Sequence, residues 1–213
     1  MQRLRISFSR GENLKFLSHL DLIRLWERTF RRADIQLAYS EGFTPHAKIS
    51  FAAPLSVGTT SEEELMDVFL TGWSAPSVFE CQVSEQLPVG IHTTDVKIIG
   101  MEEASLQSRV RFAEYVVESR NETRNKTIEV AIKELLSSKE IPWQHQRDTG
   151  CKTYDLRPLV DDIWLIEIEE LSCTIGMRLL CSTKGAGRPE QVTKALGFAE
   201  HPLRIHRTKL ILN

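Results

Sequence analysis

The order in which apolar periodicity changes along the chain is the tightest constraint on its fold. Leu4, Ile6 and Phe8 alternate with Arg3, Arg5 and Ser7, the period-two pattern of a half-buried strand. After a turn at Gly11–Asn13 the period lengthens. In SHLDLIRLWERTFRRA, Leu22, Trp26, Phe30 and Ala33 recur at helical spacing, and Ser18 with Asp21 forms an S-x-x-D capping box. A short strand is expected at 36–39, and alternation resumes through Ile49, Phe51, Ala53 and Leu55. A strand at 64–70 follows, then a helix opening at Ser74 and Pro76 with Phe79, Val83 and Leu87 on one side. A strand at 96–99 closes the series.

The second half repeats this order. Residues 110–118 read as a strand, and NKTIEVAIKELLSS puts Ile128, Ala131, Ile132, Leu135 and Leu136 on one helical face. IWLIEIEE and TIGMRLLCS read as a strand pair. RPEQVTKALG is a helix with proline at its first position and Gly197 at its end, and LRIHRTKLIL is a final strand. The expected fold is therefore α+β: two tandem ferredoxin-like βαββαβ units, at 1–104 and 105–213.

A chain that is 41% hydrophobic and 26% charged has the material for one or two globular cores. No apolar run approaches the roughly 18 residues of a membrane span, and MQRLRISFSR lacks the apolar core of a signal peptide, so a soluble cytoplasmic protein with no membrane partner is expected. Cysteines at 81, 151, 173 and 181 match neither a zinc knuckle nor an iron–sulfur motif. Free thiols, no metal and no cofactor follow as expectations.

Charge is segregated along the chain. Residues 1–50 hold nine Lys/Arg against five Asp/Glu, whereas residues 51–108 hold one against nine. One surface could therefore suit an anion while another repels it. On the 19–32 helix, Asp21, Arg24, Arg28 and Arg31 or Arg32 follow three-to-four-residue spacing opposite the apolar stripe. Like charges so aligned repel by about 0.2–0.5 kcal/mol per pair, which leaves either a solvated face or a docking stripe for phosphate or an acidic partner. His19 lies in the first turn, where the helix dipole disfavours its protonation.

The stretch SEGFTPHAKISF carries Phe43, His46 and Lys48 on a turn built around Gly42 and Pro45. Proton carriers, cations and a ring in one place would suit single-stranded nucleic acid, with rings on bases and cations on phosphates. Two weaker stretches lie further on. STKGAGRPEQ offers Lys184, Arg188 and loop N–H groups to an anion, although it is no P-loop, and CKTYDLRP adds Lys152, Asp155 and Arg157. His19 and His46 are the candidate acid–base pair should the chain be a metal-independent endoribonuclease. A protein-interaction scaffold using the acidic middle segment, without nucleic acid, is the third class.

The 11–58 stretch resembles the start of a bacterial radical-SAM-linked domain family of unknown function, whose members stand alone or follow a B12-binding-type radical SAM protein. Phe16, Ser18, His19, Asp21, Arg28, Arg32, Ala38, Ser40, Gly42, Phe43, Pro45, His46, Ser50, Pro54 and Gly58 carry the likeness. YDLRP, GRPEQV and HRTKL are similar to its looser later motifs. The resemblance implies association with a radical SAM enzyme. Members are often encoded near ribosomal-protein and ribonuclease genes, which implies RNA or a ribosome-associated component as a second partner. This chain lacks the C-x-x-x-C-x-x-C of a radical SAM cluster, so the radical chemistry would belong to the partner. The paired units also look like CRISPR repeat-processing endonucleases of the RAMP superfamily. The expectation that follows is an RNA-associated accessory or substrate-binding module.

Overall fold

The computed structural model describes residues 1–120, 127–147 and 150–213, with backbone alone at 145–147 and 152. The chain divides into two compact units, residues 1–110 with Asn213 and residues 111–212.

The first unit runs β1 (Gln2–Arg10), α1 (His19–Arg32), β2 (Ile49–Phe51), β3 (Thr59–Leu70), α2 (Pro76–Ser84), β4 (Ile91–Ile99) and the single turn α3 (Leu106–Arg109). Its strands stand in the order β2-β3-β1-β4, every neighbour antiparallel. Alternation in β1 sends Leu4, Ile6 and Phe8 into the core, where they meet Leu22, Trp26 and Phe30 of α1 and Phe79 and Val83 of α2. The core is largely aromatic. Phe8 meets Trp26 edge-on at 5.0 Å, Trp26 stacks on Phe30 at 5.4 Å, and Phe30 reaches Phe79 at 5.9 Å.

The opposite face of β1 carries Arg3 and Arg5, which converge on Asp67 of β3 at 2.6 and 2.8 Å. Arg3 also donates to the carbonyls of Glu103 (2.7 Å) and Ala104 (3.0 Å), covering that face with the 100–104 turn. Part of the charge segregation in the sequence therefore cancels inside the fold: a basic residue pair from the first segment neutralises an acid from the second.

The second unit runs β5 (Val110–Arg120), α4 (Ile128–Ser137), β6 (Pro142–Arg147), β7 (Gly150–Asp155), β8 (Val160–Ile168), β9 (Ser172–Ser182), β10 (Gly185–Ala186), α5 (Pro189–Ala195) and β11 (Arg204–Leu212). Its main strands stand in the order β8-β9-β5-β11, with β10 also on β9. The β6–β7 hairpin forms its own two-stranded sheet, which the apolar pattern does not anticipate. Gly197, predicted to end α5, has φ +94°, the left-handed geometry that glycine adopts without a steric cost.

The strand expected at 36–39 does not form. Only single bridges, Leu37 to Leu70 and Tyr39 to Ala47, stand there. Two segments share the last residues of β3: Ala38 N–H donates to the Phe69 carbonyl (2.7 Å), while Phe69 N–H donates to the Lys48 carbonyl (3.1 Å). Neither segment has that edge to itself, so neither extends into a ladder.

Two substitutions test this packing. Trp26→Ala should cost about 3–5 kcal/mol as an emptied aromatic core site. Asp67→Ala should cost a similar ~3–5 kcal/mol because it strands buried Arg3 without its counter-ion. Denaturant unfolding measures both, and a loss under ~1 kcal/mol in either would show that the site relaxes around the change.

Candidate functional site

The arginine stripe emerges where the sequence places it. Ser18 caps α1: its Oγ accepts the Asp21 N–H (3.2 Å) and its hydroxyl donates to Asp21 Oδ2 (2.6 Å). With Leu22, Trp26, Thr29 and Phe30 buried, Asp21, Arg24 and Arg28 stand exposed on the other side. They border a groove of about 380 Å³ lined by Leu17, Asp21, Arg24, Leu25, Arg28, Arg32 and Pro88.

Two connections build its walls. Arg10, fully buried, donates to the carbonyls of Ser56 (2.9 Å), Thr59 (2.6 Å) and Leu17 (3.4 Å), fixing Leu17 at the helix entrance. Arg32 donates to the Gln86 carbonyl (2.6 Å), tying the far end of α1 to the segment that carries Pro88.

Each arginine is held differently. Arg24 meets Asp21 at 3.5 Å with both side chains in solvent, a weak pair. Arg32 is spent partly on Gln86 and on Thr29 Oγ1 (3.4 Å). Arg28 has no ionic partner among the described residues. Arg24, Arg28 and Arg32 repeat every four residues, so they climb the groove in steps of about 6 Å. Asp21 is ionised: the Ser18 hydroxyl holds it below the ordinary carboxylate value against a smaller opposing effect of burial, with Arg24 adding to the lowering. Leu17, Leu25 and Pro88 are the lining residues that the charge pattern alone did not single out; the proline closing the α2 segment is the only sequence signal for them.

His19 and His46 are held in different surroundings. His19 is half-buried with its ring 5.4 Å from Phe51, the last residue of β2. His46 is exposed three residues before the first. Its N–H donates to Ser40 Oγ (3.0 Å) and its carbonyl accepts from Ser40 N–H (2.9 Å), closing the 40–46 loop. Gly42 supplies φ +125° there, and Phe43 stands wholly exposed at the tip. The turn thus serves packing only at its base; its ring is free. Lys48 is half-buried, its backbone engaged on both sides.

The second unit offers less. Arg157 donates to the carbonyls of Val160 (2.6 Å) and Leu136 (2.9 Å), and Asp155 accepts from Ile141 N–H (2.7 Å) and Arg157 N–H (3.0 Å), so DLR is a structural brace. The Lys152 side chain lies outside the described residues. Lys184 is exposed at the β9–β10 turn and Arg188 precedes α5. The glycines between them are not a phosphate cradle. A Cβ on Gly187 would meet the Leu159 carbonyl at 2.7 Å, and Gly187 N–H already donates to the Leu180 carbonyl (2.8 Å), so close approach of chains requires glycine there. A cleft of this unit, about 620 Å³ between α4 and α5, is lined by no Lys, Arg or His. Among the described residues no cluster of His, Cys, Asp or Glu could hold a metal, and no helix is long and apolar enough to cross a membrane.

Solved structures show a likeness of fold. A chain in the crystal structure of a Cbf5–Nop10–Gar1 complex superposes with a TM-score of 0.50 at 12% identity, covering 98% of this chain and 48% of that one. A chain of an H/ACA RNP bound to a substrate RNA containing 2′-deoxyuridine gives 0.49 at 12% identity, with 98% and 47% covered. A RAMP protein binding different RNA substrates covers 99% and 100% at 10% identity, with a TM-score of 0.26. The chain spans about half the length of the first two. At 12% identity the likeness to the Cbf5–Nop10–Gar1 chain is one of fold alone, that of a mixed α/β chain. The family itself is firmer. A model described as "Uncharacterized protein conserved in bacteria (DUF2344)" matches residues 3–189, and the chain belongs to that bacterial family. No curated protein matches it.

His19 gives this region a measurable signature. Burial pushes its imidazole below the ordinary value, so the unfolded chain takes up the proton first. Stability is therefore whole above the unfolded value near ~6.5 and is lost as pH falls through it. His19→Gln should flatten unfolding free energy between about pH 7 and 5 relative to the wild type. Parallel pH profiles would contradict the burial.

Proposed function

We propose that this chain is an RNA-associated accessory or substrate-binding module that works with a radical SAM partner enzyme, and that the α1 groove holds the phosphates of the RNA. The single observation carrying the RNA assignment is the groove itself: three guanidinium groups in register along one helix, the central one without an ionic partner among the described residues. Arginine's planar fork suits phosphate oxygens, and successive phosphates present charge at repeated short intervals as the arginines do. Phe43, standing free on a closed loop, is suited to stack on a base.

The partner assignment rests on the sequence resemblance at 11–58 and on cysteine spacing that leaves this stretch without a radical SAM cluster motif. Within the same reading the units are tandem ferredoxin-like repeats divided near residue 104, supported by the matching orders β2-β3-β1-β4 and β8-β9-β5-β11, and the chain works in the cytoplasm. The endoribonuclease alternative needs two histidines on one phosphodiester; His19 is half-buried beside Phe51 while His46 stands exposed on the 40–46 loop, which makes it the less favoured reading. The scaffold alternative loses part of its acidic surface, since Asp67 is buried between Arg3 and Arg5.

Single-stranded binding should weaken with salt at a slope of about −0.7 per phosphate contact, so three contacts predict roughly −2. Arg28→Ala should weaken binding of a single-stranded RNA at every salt and reduce the slope by about 0.7. Fluorescence anisotropy across a salt series measures both. Unchanged affinity and slope in the Arg24/Arg28/Arg32 triple alanine variant would remove the groove from RNA binding.

A further inference from the structure

Resting on this reading of the arginine groove, we infer that the groove takes ribose as well as phosphate: Asp21 accepts a hydrogen bond from a 2′-hydroxyl, so the site selects RNA over DNA. Asp21 has a place in the first turn of α1, where the dipole and the Ser18 hydroxyl favour a carboxylate, and that same carboxylate also stands on the wall of the groove beside Arg24.

The oxygens of Asp21 are placed to accept. An ionised carboxylate has about four acceptor sites and no donor. Here the Ser18 hydroxyl takes one on Oδ2 and Arg24 approaches Oδ1 at 3.5 Å, while the side chain remains 49% exposed on the groove wall. Acceptor sites are left over, and in the sugar–phosphate backbone of RNA the 2′-hydroxyl is the group that donates to them. Only RNA carries it at the 2′ position, where it distinguishes the two nucleic acids. Asp21 and Arg24 sit side by side, an acceptor next to a cation, as a ribose hydroxyl sits next to its own phosphate. Leu17, Leu25 and Pro88 give the sugar an apolar surface to lie on.

The test compares single-stranded RNA, DNA and 2′-O-methyl RNA of one sequence on the intact chain at fixed salt. A hydrogen bond to a charged acceptor is worth roughly tenfold or more in affinity, so the wild type should bind RNA at least ~10-fold tighter than DNA. The 2′-O-methyl strand, which has lost the donor, should behave as DNA does. Asp21→Ala should bring the RNA-to-DNA ratio to within ~2-fold, whatever the removed charge does to both affinities together. Ser18→Ala, which loosens the cap but keeps the carboxylate, should retain the preference. Equal binding of all three strands by the wild type overturns this inference and leaves the phosphate groove standing. A ratio unchanged in Asp21→Ala, or full-strength 2′-O-methyl binding, overturns it likewise. Binding of none of the strands overturns both readings.

Discussion

Trp26 is the contact on which the first unit depends. Its indole is fully buried between Phe8 of β1 and Phe30 of its own helix, and that position fixes the rotation of α1 on the sheet. Once the helix is phased by its largest side chain, the residues two positions before and after it have one direction left. Arg24 and Arg28 point to solvent because Trp26 does not. A rotation of one residue, about 100° at 3.6 residues per turn, would drive a guanidinium into an aromatic core, at a cost that a domain of ordinary stability could not sustain.

The charges divide into two populations by the same logic. Arg3, Arg5 and Arg10 are taken up by Asp67 and by backbone carbonyls, where they hold turns in place. Of the α1 arginines, Arg24 and Arg28 are left largely to solvent, while Arg32 is partly spent on the Gln86 carbonyl. Burial, not residue type, separates the structural cations from those exposed to solvent here. Arg157 in the second unit makes the same point, since its guanidinium is consumed by the Val160 and Leu136 carbonyls.

Much of this was legible in the sequence. The helix 19–32, its Ser18 cap, its buried Trp26 and its exposed arginines followed from a 3.6-residue period strong enough to survive local detail. Alternation located β1 and β9 for the same reason. What escaped depends on contacts that spacing does not encode. Residues 36–39 look like a strand, yet they share the end of β3 with residues 47–49 and form only bridges. The β6–β7 hairpin alternates polar residues such as Gln144 and Thr153, giving no apolar signal. The glycines at 185 and 187 suggested an anion loop, although at 187 it is close contact with the Leu159 carbonyl that requires glycine. Pro88 and Leu17 complete the groove through folding alone, because nothing local links them to Arg28.

The central claim is that α1 contacts RNA through its exposed arginine face. Ultraviolet cross-linking of the intact chain to a single-stranded RNA, with the linked peptides located by mass spectrometry, tests it most directly. The account predicts cross-links concentrated at residues 15–32 and at Phe43. Cross-links confined to the second unit would contradict it.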